Sequence, residues 1–227
     1  MRTVCIVIFG ILFVCLLTAE GNTMNEEKVI LPDPSQKGKM SVGQAIGTRR
    51  TVRDFKSAPL TMPQLSQLLW AAQGITDENR EFRAAPSAGA LYPLDVYVVV
   101  ASGGVSQLDG GIYHYLPREH ALRKILAEDR RRAVAEAALG QQWIAGAPVV
   151  FVLTAEYRRI TGKYGKRGVR YAHIEAGHVG QNIFLQAEAL GLGAGIVGAF
   201  DDSRLARVIE AANEHEPLLI MPVGYKK

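Results

Sequence analysis

An almost unbroken apolar run, Val4 to Leu17, opens the chain, and blocks of helical and strand spacing follow. Between them, Asn22 to Lys39 is polar, with Pro32 and Pro34 close together. It reads as a tether or as an extended arm that packs on a partner. Ser41 with Gln44 then makes a capping box, and Val42, Ala45 and Ile46 share a helical face. Thr61 with Gln64 makes a second box, with Pro63 in the first turn. Leu65, Leu68, Leu69 and Ala72 form its apolar stripe, and Gly74 suits the C′ position.

Leu94 to Ala101 and Gly111 to Leu116 read as buried strands, the second with Tyr113 and Tyr115 on one face. Asp129 to Leu139 is helical and Arg-rich at its start. Ala147 to Ala155 is a continuous apolar run, hence a central strand. Tyr171 to Leu190 is a long helix, Gly193 to Ala199 a short strand or extended turn, Asp202 to Ala212 a helix, and Pro217 to Val223 a last strand. Helices and strands mix without a βαβ beat, which favours an α+β fold over a doubly wound one.

Composition sharpens this picture in two ways. With 227 residues, 48% apolar and 21% charged, the chain suits one good-sized domain with a buried core, and global disorder is excluded. The net charge of +4 is too mild to imply nucleic acid, because 22 acidic residues are spread among 26 basic ones. No nucleic-acid partner is expected.

The opening run changes the cysteine chemistry. Arg2, the run itself, and Ala19 and Gly21 at −3 and −1 of a cut before Asn22 match a secretory signal peptide over residues 1–21. The run is short of the ~20 residues that span a bilayer. An uncleaved N-terminal anchor is the alternative and the one route to a membrane. Cys5 and Cys15 both lie in the run, so the chain from Asn22 onward has no disulfide, no thiolate metal site and no thiol nucleophile. The expectation is an exported, periplasmic protein: signal peptide 1–21, arm 22–40, one domain 41–227.

Several motifs carry chemistry. Thr48 to Phe55 puts Arg49, Arg50 and Arg53 beside Thr48 and Thr51 at a helix end. Such a cluster suits a compact phosphorylated ligand, or else is a solvated charge run. Ala85 to Pro93 is small and turn-forming, so a flat ligand could approach its backbone; otherwise it is an ordinary loop. Gly193, Gly195 and Gly198 formally fit G-x-G-x-x-G, but a helix precedes them and none opens inside, so a dinucleotide fingerprint is rejected. A glycine-bearing strand offering backbone N–H groups remains. His173 and His178 lie roughly 140° apart on a helical wheel, which favours hydrogen bonding over a metal site with Glu175. Lys163-Tyr164, in a basic glycine-bearing stretch from Arg158 to Arg170, reads as an acid–base pair near a substrate or as part of a mobile surface loop.

Five segments in order resemble the nitroreductase superfamily, specifically its SagB-type (thiazole/oxazole oxidase-like) dehydrogenase branch. They are Arg49–Phe55, Leu68–Gly74, Pro86–Pro93, Glu175–Asn182 and Gly198–Asp201, spread from about Leu31 to Tyr225. The resemblance implies an α+β fold with a central, mostly antiparallel sheet flanked by helices. It also implies a domain-intertwined homodimer with two FMN molecules at its interface. Arg49, Thr51 and Arg53, with their neighbour Arg50, match the motif that meets the FMN phosphate and the pyrimidine side of the ring. Pro86, Ser87, Ala88 and Ala90 match a loop reaching the flavin of the other subunit. Gly198 and Ala199 match the strand whose backbone N–H faces the flavin N5 edge. Lys163 and Tyr164 match the pair given a catalytic role in the azoline-oxidising branch.

The activity so implied is ping-pong electron transfer through FMN to or from a small organic substrate. Export strains the choice of donor, since free NAD(P)H is expected to be scarce outside the cytoplasm. A quinol, a redox protein or the substrate itself then serves. The other reading is a non-catalytic flavin- or ligand-binding homodimer in the periplasm. One departure from the family stands out: where many members carry a C-terminal basic segment for the phosphate, this chain has Gly224-Tyr225-Lys226-Lys227. Either those lysines substitute, or the phosphate leans on Arg49 and Arg53.

Overall fold

A computed structural model describes residues 27–227. The expected signal segment, residues 1–21, lies outside the described residues. The chain runs β1 (Lys28–Ile30), α1 (Val42–Thr48), α2 (Met62–Gln73), β2 (Ile75–Asp77), β3 (Phe82–Arg83), β4 (Leu94–Val100), β5 (Gly111–Leu116), β6 (Ala121–Leu126), α3 (Arg131–Ala137), β7 (Val149–Ala155), α4 (Arg158–Tyr164), α5 (Arg167–Ala189), β8 (Gly193–Ala194), α6 (Asp202–Val208) and β9 (Glu216–Gly224). Short 3-10 turns occupy Ala88–Ala90 and Gln142–Gly146.

Seven strands form one sheet in the order β1-β6-β5-β4-β7-β9-β8, and every neighbouring pair is antiparallel. β2 and β3 make a separate two-stranded ribbon. The fold is α+β, with helices on both faces of the sheet.

The central strands explain their own continuous apolar runs. On β4, Val96, Val98 and Val100 join one core while Tyr97 and Val99 join the other. On β7, Phe151 and Leu153 face the first core, and Val150 and Val152 the second. A strand buried on both faces cannot alternate apolar with polar. The first core is closed by α2 and α5, the second by α3 and α6. Each fully buried large side chain there stabilises by roughly 1.5–3 kcal/mol. Phe151→Ala should cost about 3–5 kcal/mol, because a cavity is added to the lost transfer energy.

Both capping boxes form as the sequence predicts: Ser41 with Gln44 at α1, Thr61 with Gln64 at α2. Other expectations are corrected. The basic stretch Arg158–Arg170 is not a loop: it is α4 and the first turn of α5, broken at Gly165, whose φ is +56°. Gly74 follows α2 with extended backbone, not a left-handed turn, and is glycine for another reason. A β-carbon there would stand 2.3 Å from the Trp70 ring. The strand expected over Gly193–Ala199 is only two residues, and the helix expected to Ala212 stops at Val208.

The arm is partly built into the sheet. β1 pairs with β6, and the Leu31 N–H donates to the His120 carbonyl at 3.0 Å. Ser66 donates its hydroxyl to the Pro32 carbonyl, which His120 Nε2 also approaches at 3.0 Å. Among the described residues, no helix is long and apolar enough to cross a membrane.

Candidate functional site

The sequence-predicted residues fall into two separate groups. The first forms where α1 ends. Its exit strand docks on β8: the Val52 N–H donates to the Ala194 carbonyl at 2.8 Å, and Thr51 bridges Ala194 in parallel. The glycines of the rejected fingerprint explain themselves here. A β-carbon on Gly193 would reach Val52 at 2.7 Å, and one on Gly195 would reach Trp143 at 2.6 Å. They are glycine so that this exit strand can pack close, not to cradle a pyrophosphate.

That packing sets out the basic groups. The Arg49 guanidinium lies 5.2 Å from the centre of the Phe184 ring, and Arg53 lies 5.6 Å from that of Trp143. Neither has a carboxylate within 4.0 Å among the described residues. Arg50 differs: its Nη1 turns back to the Gly47 and Arg49 carbonyls, at 3.2 and 2.7 Å, and closes the C-terminal end of α1. Lys226 is held by Glu188 at 2.7 Å and Lys227 by Asp54 at 2.8 Å. Burial pushes the Glu188 carboxyl up, but Lys226, Thr48 and Arg49 outweigh it and hold the group below its usual range. Gly198 and Ala199 are exposed beyond β8, and their N–H groups have no partner among the described residues. The Ala199 carbonyl accepts from Gln141 Nε2 at 3.3 Å, which ties this segment to the turn at Gln141.

The second group forms around the Pro86–Ala90 turn. Ser87 Oγ accepts the Tyr92 N–H at 3.0 Å, and the Ala90 N–H donates to the Ser87 carbonyl at 3.1 Å. The Pro86 carbonyl accepts from His178 Nδ1 at 3.1 Å, so that ring nitrogen carries the proton. Gly89 has φ +65°, and a β-carbon on it would lie 2.7 Å from the Tyr164 hydroxyl and 3.0 Å from Lys163 Nζ. The Lys-Tyr pair and the turn are therefore one unit. Lys163 sits 5.4 Å from the centre of the Tyr164 ring, which packs edge-on against Tyr171 at 5.1 Å.

α5 separates the two groups. From Tyr171, beside Tyr164, to Phe184, beside Arg49, it rises about 20 Å at 1.5 Å per residue, and His178, which holds Pro86, lies between them about 9 Å from Phe184. Asn182 bolts this helix in place by donating to the Ala71 and Ala84 carbonyls at 3.0 and 3.3 Å. The three polar residues weighed for metal binding go to separate partners. His173 meets the Tyr157 hydroxyl at 2.8 Å, His178 meets Pro86, and Glu175 accepts from Gln73 at 3.2 Å. Among the described residues, no group of three or more such side chains is placed to hold a metal ion.

Two polar networks beside the second group escaped the sequence reading. Arg83 Nη1 donates to Gln73 Oε1 at 3.2 Å, so a chain runs Arg83–Gln73–Glu175 into the interior. Asp95 meets His114 Nε2 at 2.9 Å and Arg159 Nη1 at 2.6 Å, with His215 at 3.5 Å. Burial raises the Asp95 carboxyl, yet His114, Arg159 and His215 together hold it below its usual range. One signal was available: Asp95 is the lone charge in an otherwise apolar strand.

Comparisons with known proteins bear on the family and the fold. A family model described as the nitroreductase family matches residues 46–225, a span that includes both groups. MJ1384 of Methanocaldococcus jannaschii, a nitroreductase by name, is 44% identical over 206 residues, 91% of this chain and 98% of its own. A Ralstonia eutropha protein described as a nitroreductase superposes with a TM-score of 0.78 over 89% of this chain and 90% of its own, at 29% identity. The microcin B17-processing protein McbC of Escherichia coli is 29% identical over 66% of this chain and 56% of its own. The chain belongs to the nitroreductase family of oxidoreductases.

Proposed function

We propose that the chain is an FMN-dependent oxidoreductase that works as a homodimer. Each flavin is held by the Arg49–Arg53 group of one copy and faced by the Pro86–Ala90 and Lys163–Tyr164 group of the other. The observation that carries this reading is the ~20 Å rise along α5 between the Arg49 end, at Phe184, and the Lys163–Tyr164 end, at Tyr171. Both match flavin-site motifs, and within one chain the Lys163–Tyr164 end stands farther along α5 from the Arg49 end than the width of one planar ring. A second copy brings them together.

The residues present fit the cofactor. Two guanidiniums without carboxylate partners among the described residues, beside the Thr51 hydroxyl, suit a phosphate dianion. Lys226 and Lys227 are already engaged, so the phosphate leans on Arg49 and Arg53. The Gly198 and Ala199 N–H groups, exposed and without partners among the described residues, would be the donors to the N5 edge of the ring. Nothing stands within 4 Å of a β-carbon position on Gly198, which leaves room for a flat face.

When bound, FMN would supply two-electron exchange with a small organic substrate. The chain's own groups do the rest. The backbone donors at Gly198 and Ala199 orient the reacting edge. An arginine stabilises the negative charge that develops nearby. Tyr164 holds or moves a proton at the substrate oxygen or nitrogen, and Lys163 keeps positive charge beside it. The dimer cleft excludes water. A ping-pong order follows from one cleft serving donor and acceptor in turn. Export is part of the proposal and rests on the apolar run ahead of Asn22; N-terminal sequencing of native protein tests it.

The deciding experiment is a flavin titration with an absorbance spectrum. We expect FMN to bind at micromolar concentration and its spectrum to bleach with dithionite and with at least one biological donor. Absence of binding removes the proposal. Tight binding without bleaching by any donor returns the non-catalytic reading.

A further inference from the structure

A cavity of about 470 Å³ adjoins the Lys163–Tyr164 unit and shares only Ala90 with the proposed flavin site. Ala90, Leu91 and Tyr92, which follow Gly89, form one wall. Consecutive Cα atoms are 3.8 Å apart, so the cavity begins within roughly 4 Å of the residue that Lys163 and Tyr164 touch. Four arginines from four segments line it further, Arg80 between β2 and β3, Arg83 on β3, Arg118 between β5 and β6, and Arg159 on α4, together with the carboxylates of Glu81, Asp95 and Glu119, each already ion-paired.

Their partners divide them. Arg118 pairs with Glu81 at 2.6 Å, and Arg159 pairs with Asp95 and Glu156, each at 2.6 Å. Arg80 and Arg83 have no carboxylate within 4.0 Å among the described residues. Arg80 lies 5.8 Å from the centre of the Phe82 ring and is exposed. Arg83 is half-buried. Its guanidinium is stacked 4.7 Å from the centre of the Tyr92 ring and donates to the neutral Gln73. Burial pushes the Arg83 guanidinium below its ordinary value; Asp95 and Glu175 oppose this and Arg159 adds to it. A guanidinium partly removed from water and short of a counter-charge costs stability unless an anion completes it.

We propose that this cavity is a subsite for an oxyanion, carboxylate or phosphate, carried by the substrate, with Arg83 as its principal partner and Arg80 at its rim. The placement rests on the reading of Lys163 and Tyr164 as the reactive end. A substrate held there would extend past Gly89 and seat its anionic arm against Arg83, which holds it by charge-assisted hydrogen bonds. Stacking on Tyr92 fixes the guanidinium plane and favours a planar carboxylate.

The test is calorimetric titration of the full chain with benzoate, with inorganic phosphate and with neutral benzamide, each without FMN and after FMN saturation. Expected is millimolar or tighter binding of benzoate or phosphate, none of benzamide, and an affinity lowered about 10–100-fold in Arg83→Gln with FMN affinity unchanged. The benzoate-to-phosphate ratio tells which oxyanion the subsite prefers. Should Arg83→Gln not fold, Arg80→Gln at its exposed position is expected to weaken the same titration by a few-fold. Equal affinity in wild type and variant, or no oxyanion binding at all, overturns the subsite. So does competition between benzoate and FMN together with weaker FMN binding in Arg83→Gln, which gives the cavity to the flavin phosphate. Oxyanion binding through Arg83 in a chain that takes no flavin would leave the subsite standing and remove the flavoenzyme reading instead.

Discussion

The Tyr164 hydroxyl lies where a side chain on Gly89 would begin: a β-carbon there would stand 2.7 Å from the phenol oxygen. Gly89 also has φ +65°, a left-handed conformation that costs other L-residues roughly 1–2 kcal/mol. Gly89→Ala should therefore do two things. It should lower stability by about that amount, and it should push Tyr164 and Lys163 off their positions. A displacement near 1 Å at a reacting group costs on the order of a hundredfold in rate. We expect kcat to fall by that order while FMN affinity holds. Unchanged kcat in a folded variant would separate the Lys-Tyr pair from the chemistry.

Arg49 and Arg53 face aromatic rings and, among the described residues, no carboxylate, whereas Lys226 is taken by Glu188 at 2.7 Å. Arg49→Gln and Arg53→Gln should each weaken FMN by about 10–100-fold, the worth of one charge-assisted contact. Lys226→Gln should weaken it by no more than a few-fold, through release of Glu188. Fluorescence titration of the three variants checks the ranking. A larger loss from Lys226→Gln than from either arginine would mean the terminus holds the phosphate after all.

What the sequence disclosed follows from where each signal is stored. The capping boxes at Ser41 and Thr61 are local, four residues each, and both form. β4 and β7 announce themselves because burial on both faces leaves few polar positions, Asp95 being the one charge among them. β6 stayed hidden because it is an inner strand with Arg123 and Lys124 at half-buried positions, so it reads as surface. α4 stayed hidden because Arg, Lys and Gly imitate a loop, and Gly165 breaks the helical run. The site motifs were legible one at a time. The resemblance alone assigned the Pro86–Ala90 loop to the other subunit's flavin; the place of each motif along α5 came only from the fold. The Arg83–Gln73–Glu175 chain joins residues up to 102 positions apart and leaves no local mark.

Glu175 makes the stability depend on pH in a definite sense. It is 1% exposed on α5, and burial raises its carboxyl above the ordinary value of 4.5; Ser87, Gln73, Arg83 and His178 oppose this without cancelling it. The folded chain then binds this proton more tightly than the unfolded chain. The contribution is fully present below the ordinary value and is lost as pH rises through the folded one. Glu175→Gln keeps an oxygen for Gln73 and has no proton to lose. The stability of the variant relative to wild type should therefore grow from about pH 4.5 upward and level off above the folded value. His120 and His215, both lowered chiefly by burial, act on the acid side and cancel in this difference. Denaturant melts of both proteins across the range measure it, and a flat difference would show that Glu175 is not raised.

The division of the site predicts rescue between two damaged chains. In the proposed homodimer, Arg53→Gln would disable the flavin-holding half and Lys163→Ala the reactive half. Each variant alone would then form homodimers in which both sites carry the defect. In a heterodimer the two changes distribute unevenly. One site receives both substitutions together, while the other pairs an intact Arg53 with an intact Lys163 from the opposite copy. Random pairing of equal amounts makes half of the dimers mixed, so about a quarter of all sites should be wild type, because a two-fold interface gives each dimer two equivalent sites. Co-expression with two different tags and sequential purification isolates the mixed dimer, in which about half the sites are intact. Turnover is measured with whichever donor bleaches the flavin. Activity near half of wild type supports a site shared between copies. Were Arg53 and Lys163 to serve one flavin within a single chain, every site in the mixed dimer would carry one defect, and activity would stay at the residual level of the two variants.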